Sequence, residues 1–137
     1  MNPLGLAVGQ KARRSKTVTA RDVELYAEIT GDRNPLHFDA AFAAGTRFGR
    51  LVAQGGITSG MLNALAAMDL PGPGTVFMSQ TLKYLAPTYL GDTLTAEVEV
   101  LSVKPDKPVC QLKATVTNQD GTVVLEGECW TYTMRPA

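Results

Sequence analysis

The chain has one histidine, His37, and a carboxylate, Asp32, stands five positions before it in Ile29-Thr30-Gly31-Asp32-Arg33-Asn34-Pro35-Leu36-His37-Phe38-Asp39. A carboxylate and an imidazole that reach one water can share the proton traffic of an addition or an elimination. Gly31 is a natural helix stop and Pro35 bars Asn34 from the helical region, so the two side chains are expected on the flanks of an irregular crossing, not on one helix face. The plainer alternative is that Asp32 closes a turn, Asn34-Pro35 punctuates it, and His37 is a satisfied, half-buried ring.

A second feature favours chemistry. Gln54-Gly55-Gly56 opens a helical segment expected from Ile57 to about Asp69. The first N–H groups of a helix lack internal partners, and the helix dipole makes that end attractive to negative charge. With no side chain in the way at Gly55, a thioester carbonyl could approach a bare N–H and be stabilised as it becomes an enolate oxygen. Alternatively, the paired glycines only let the chain turn sharply into a buried helix. Together, Asp32, His37 and Gly55 supply what hydration of a double bond conjugated to a thioester requires: a proton acceptor, a proton donor and an oxyanion site. That reaction, or its reverse, needs no cofactor. Ser59, in Gly56-Ile57-Thr58-Ser59-Gly60, lacks the spacing of a hydrolase nucleophile turn.

The elements that must position these groups are legible by pattern. Thr19 with Asp22 fits a capping box, and Val23, Tyr26, Ala27 and Thr30 follow at helical spacing up to Gly31. Asp39 can cap a short helix over Ala40–Ala44, closed by Gly45. The segment Ile57 to Met68 carries no charge; a helix apolar or small on nearly all sides is expected to be enclosed, yet it is too short to cross a bilayer. Thr75–Leu85, Thr93–Val103, Val109–Asn118 and Thr122–Met134 read as strands, with Asp120-Gly121 favouring a tight hairpin between the last two. Helices followed by an antiparallel run give an α+β domain, a curved sheet wrapped around one helix. Arg13 to Val18 reads as an extended run on a solvated edge. Arg47 and Arg50 are cations that could meet phosphate, with solvation the favoured reading.

At 137 residues the chain fits one domain, 1–137. Thirteen basic residues balance thirteen acidic ones, so no overall field draws it to nucleic acid or an anionic membrane. The first ten residues make a poor signal peptide, and no stretch approaches a membrane span. Cys110 and Cys129, the only cysteines, are expected as two buried thiols in a reducing cytoplasm, with a single disulfide as the alternative. One histidine and two distant cysteines give no metal-ligand cluster.

Tyr26-Ala27-x-Ile29-Thr30-Gly31-Asp32-x-Asn34-Pro35-x-His37-x-Asp39, followed by Phe42-Ala43, Phe48 and Val52-Ala53-Gln54-Gly55, resembles the MaoC-like (R)-specific enoyl-CoA hydratases and their Asp-x-Asn-Pro-x-His motif. The likeness extends through Pro71-Gly72-x-Gly74, Leu90-Gly91-Asp92 and Asp106-Lys107-Pro108, and is strongest to short members that supply (R)-3-hydroxyacyl-CoA for polyhydroxyalkanoate synthesis. It implies a hot-dog fold, homodimers joined through their sheets, an acyl-CoA substrate, and syn addition of water to a trans-2-enoyl-CoA. It also implies that Asp32 and His37 are the catalytic pair and that the Gly55 N–H binds the thioester oxygen. Two positions depart from the pattern: Gln54 stands where many relatives have histidine, and Asn63 where many have a serine near the catalytic carboxylate. Two rival readings are an acyl-CoA thioesterase on the same fold, which generally needs a carboxylate on or beside the central helix, and a non-catalytic acyl-CoA-binding module.

Overall fold

The computed structural model describes residues 2–136. Its strands form one five-stranded antiparallel sheet in the order β1-β3-β4-β5-β2, built from β1 (Lys11–Thr17), β2 (Thr75–Tyr84), β3 (Thr93–Val103), β4 (Val109–Thr117) and β5 (Val123–Thr133). Alternation sets which face is buried. On β3, Leu94, Ala96, Val98 and Val100 turn inward while Thr95, Glu97 and Glu99 point outward. Leu112 and Val116 on β4 lie in register with Cys129 and Leu125 on β5 and continue the same buried face.

Onto that face packs the longest helix. In chain order the helices are α1 (Ala20–Thr30), α2 (Pro35–Phe38), α3 (Ala40–Ala44) and α4 (Gly55–Met68). Leu62 and Leu65 of α4 are fully enclosed and share one core cluster with Leu94, Val98 and Leu112 of the sheet. Burial of a leucine side chain is worth roughly 1.5–3 kcal/mol, so these few residues hold the helix to the sheet.

α1 begins as expected. Thr19 Oγ1 accepts from the Asp22 N–H, the Asp22 carboxylate accepts from the Thr19 N–H, and Gly31 closes the helix at φ 81°. The residue at that stop must adopt a left-handed conformation, which glycine does at least cost.

Three expectations are corrected. The segment after Asp32 is not wholly irregular: Asn34 Oδ1 accepts from the Leu36 N–H and Pro35 occupies the first turn, nucleating the one-turn helix α2 that carries His37. Gly55 and Gly56 lie inside α4 as its first two residues, not before it. α4 is enclosed on one side only, since Met61, Leu62, Leu65 and Ala66 are buried whereas Asn63 and Met68 are exposed. The tight β4–β5 hairpin at Asp120-Gly121 forms as expected: the Gly121 N–H donates to the Asn118 carbonyl at 3.0 Å, and the Asn118 carboxamide accepts from the N–H groups of both Asp120 and Thr122.

Candidate active site

Asp32 is placed by the end of α1. The Gly31 N–H donates to the Ala27 carbonyl at 2.8 Å. Thr30 Oγ1 donates to the Tyr26 carbonyl at 2.7 Å and accepts from the Asp32 N–H at 3.1 Å. The Asp32 carboxylate accepts from the Asn34 N–H at 3.3 Å. A turn-closing role is therefore real for Asp32, but its side chain stays 40% exposed, open to a water.

His37 is buried, and its Nδ1 lies 2.6 Å from the Val52 carbonyl oxygen. A carbonyl can only accept, so Nδ1 carries the proton, and in the neutral ring Nε2 presents its lone pair. Nε2 lies 3.6 Å from Asp32 Oδ1. That gap is too long for a direct hydrogen bond and suits one water held by both groups. The structure thus brings the two groups named from the sequence close together.

The start of α4 lies close by through the backbone. The Val52 N–H donates to the Leu36 carbonyl, Ala53 donates to Thr88, and Gln54 caps the helix without a side-chain hydrogen bond. Gln54 is almost completely buried. Its Nε2 donates to the Val23 carbonyl at 3.0 Å, pinning α1 to the head of α4, and its Oε1 has no hydrogen-bond partner among the described residues. Aromatic rings press on both glycines that follow. A Cβ on Gly55 would come 2.8 Å from the Tyr84 ring, and one on Gly56 would come 1.7 Å from the Tyr26 hydroxyl. Nothing larger than glycine fits at position 56 unless Tyr26 moves.

Gly55, Thr58, Val52, Leu36, Tyr84 and Arg47 are among the residues that line a cleft of about 370 Å³. Asp32 and His37 are not in its wall; they adjoin it through Leu36 and Val52, the latter holding the imidazole. A larger hollow of about 530 Å³ lies elsewhere, over Thr81, Lys83, Lys113, Glu126 and Glu128 on the outer side of the sheet. It offers none of the three groups that the chemistry requires.

Asn63 is not brought to the pair within this chain. It stands two turns beyond Gly55, about 12 Å along the helix at 1.5 Å per residue, and its Oδ1 accepts from Gln80 Nε2 at 3.3 Å. Three contributors escaped the sequence reading. The Val52 carbonyl carries no side-chain signal, Tyr84 comes from a distant strand, and Arg47, read as solvated, lines the cleft while remaining exposed. α4 itself holds no carboxylate; the first, Asp69, follows it and is bound by Arg14 at 2.6 Å. The carboxylate of Asp92 is likewise committed, to the Tyr89 N–H and to Gln119.

The pattern described as MaoC like domain matches residues 6–124. Over 128 residues the chain is 40% identical to an (R)-specific enoyl-CoA hydratase of Aeromonas caviae, covering 93% of this chain and 96% of that protein. It is 43% identical over 123 residues to a 3-hydroxybutyryl-CoA dehydratase of Methylorubrum extorquens, covering 90% of this chain and 78% of the relative. A solved structure, the (R)-hydratase from A. caviae involved in PHA biosynthesis, superposes with a TM-score of 0.91 at 38% identity, over 95% of this chain and 98% of that one. The five-stranded sheet gripping α4 is thus the hot-dog arrangement expected.

Proposed function

This chain belongs to the MaoC-like domain family, and from that premise we infer that it is an (R)-specific enoyl-CoA hydratase, a hydro-lyase that adds water reversibly to a trans-2-enoyl-CoA to give a (3R)-hydroxyacyl-CoA. The observation that carries the mechanism is the 3.6 Å separation of His37 Nε2 and Asp32 Oδ1 beside the head of α4. One water bridges the two. As its oxygen attacks the β-carbon, the pair takes one of its protons, and the conjugate acid so formed returns that proton to the α-carbon, leaving both groups as they began. Oxygen and proton come from the same side of the double bond, which is syn addition.

Negative charge gathers meanwhile on the thioester oxygen. The Gly55 N–H, at the positive end of a fourteen-residue helix, has no acceptor among the described residues and is free to receive it. No step as written calls on a cofactor. The absence of a carboxylate from α4 argues against the thioesterase reading, and a simple binding module would have no use for the Asp32–His37 arrangement.

The reading extends to a single catalytic domain that works as a homodimer in the cytoplasm. Of the two sheet edges, β1 carries Lys11, Arg13, Arg14 and Lys16, which discourage pairing, while β2 exposes Val76 and Met78. A second copy would cover the latter. The two free, buried thiols fit a reducing compartment.

Incubation with crotonyl-CoA tests the activity. Loss of the conjugated-enoyl absorbance with formation of (R)-3-hydroxybutyryl-CoA supports it. Release of free CoA thiol instead would make the protein a thioesterase, and tight binding with neither change would make it a sensor.

A further inference from the structure

An acyl thioester has a second recognisable end. Beyond the sulfur runs the pantetheine arm, terminated by a 4′-phosphate that is part of a diphosphate in CoA and of a phosphodiester on a carrier protein. Among the described residues that line the cleft beside Gly55, Arg47 alone bears a charge, and no carboxylate joins it there. The rest of the wall is mostly apolar, including Leu36, Val52, Leu85 and Val124.

Arg47 is also uncommitted. Lys11, Arg13, Arg14, Lys16 and Arg21 each lean on an Asp or Glu, whereas Arg47 makes no ion pair among the described residues. Its guanidinium lies 5.7 Å from the centroid of the Phe48 ring, a stacking partner that uses none of its N–H donors. The segment around it is held in place. Thr46 Oγ1 donates to the Ala43 carbonyl and accepts from the Phe48 N–H, and the Tyr89 hydroxyl donates to the Phe48 carbonyl at 3.0 Å. An arginine on a fixed loop, with a free planar fork and no competing anion, is suited to a phosphate. Arg50 differs: its guanidinium sits 3.9 Å over the Tyr89 ring, and it does not line the cleft.

We propose that Arg47 binds the 4′-phosphate of the pantetheine arm, so that the substrate enters this cleft with its carbonyl at Gly55 and its phosphate at Arg47. The assignment rests on the hydratase reading. It names chemistry common to CoA and carrier-protein thioesters, and makes Arg47 a substrate-binding residue with no part in proton transfer.

Three substrates test it: crotonyl-pantetheine, crotonyl-4′-phosphopantetheine and crotonyl-CoA, each with the unaltered protein, Arg47→Gln and Arg50→Gln. The unaltered protein should prefer the phosphorylated arm over the bare one in kcat/KM. Arg47→Gln should shrink that preference about tenfold, chiefly through KM, as expected when one charge-assisted contact to the ground state is removed. Crotonyl-CoA should show the same loss, and Arg50→Gln should keep the preference. The proposal is overturned if Arg47→Gln retains the preference, if Arg50→Gln abolishes it, or if the loss is confined to crotonyl-CoA, which would put Arg47 at the nucleotide phosphates instead. If the unaltered protein hydrates none of the three, the hydratase reading itself fails and this assignment falls with it.

Discussion

The imidazole of His37 donates from Nδ1 to the Val52 carbonyl at 2.6 Å, joining α2 to the strand-like residue three positions before α4 begins. One hydrogen bond thereby fixes the ring's tautomer and couples the acid/base group to the segment that presents Gly55. Since the chain has a single histidine, the tautomer can be read directly. Nitrogen-15 spectra of the neutral ring should show the proton on Nδ1, with that N–H protected from exchange. A ring protonated on Nε2 would leave no lone pair to face the water.

Gly55→Pro deletes the proposed oxyanion donor with little cost to the helix. Proline is favoured in the first helical position, and Gln54, at φ −63° and ψ 136°, already has the extended conformation that precedes a proline. The atoms nearest a Cβ there belong to Tyr84, whose side chain is exposed. Turnover should fall about 10²–10³-fold, with acyl-CoA affinity much less affected. Equal losses in both, with a lowered Tm, would point to a damaged fold instead.

The cap on α1 makes stability depend on acid. Burial pushes the Asp22 carboxyl up, but the Thr19 N–H and the Lys16 ammonium at 2.9 Å outweigh it and hold Asp22 below the usual carboxylate range. A folded-state pKa below the unfolded one stabilises the protein above about pH 4, and that contribution is lost as pH falls further. Asp22→Asn, which removes the titrating charge, should cost up to about 1 kcal/mol at neutral pH. Denaturant melts of both proteins should converge as the pH is taken below 4; a constant gap would remove the carboxylate from the cap's energetics.

Both cysteines are buried in the sheet face, and burial raises Cys110 to about 11 and Cys129 to about 12. Native protein should therefore resist thiol reagents at pH 8, reacting only on unfolding. Because the folded-state values lie above those of an unfolded thiol, the associated stability is present below about pH 8.5 and declines as pH rises beyond it. Cys129→Ala should flatten that alkaline decline, and rapid labelling of the native protein at pH 8 would contradict the burial.

Much of this was legible in the sequence because it rests on local rules. Thr19 and Asp22 announced α1, Gly31 its end, Asp39 the start of α3, and the alternation from Thr95 to Val100 the wet and dry faces of β3. Composition marked α4 as the core helix, but not that one flank would lie open, since that depends on what packs beside it. Asn34 reads equally as a turn residue or a helix cap, so α2 was missed, although the proximity of Asp32 and His37 survives the change. The Val52 carbonyl, the Tyr84 ring over Gly55 and the place of Arg47 in the cleft arise from long-range packing, which no spacing encodes. Asn63, singled out by family pattern, meets Gln80 in this chain and not the acid/base pair.

The central claim is that Asp32 and His37 together move the protons of hydration, and crotonyl-CoA turnover in Asp32→Asn and His37→Asn tests it most directly. Each variant should remain folded, Asp32→Asn with a near-normal Tm because that side chain is half-exposed and His37→Asn with a lower one because it gives up the buried bond to the Val52 carbonyl, and each should lose at least ~100-fold in kcat, as for a positioned acid or base. A folded variant that hydrates crotonyl-CoA at close to the normal rate would take that residue out of the mechanism and contradict the account.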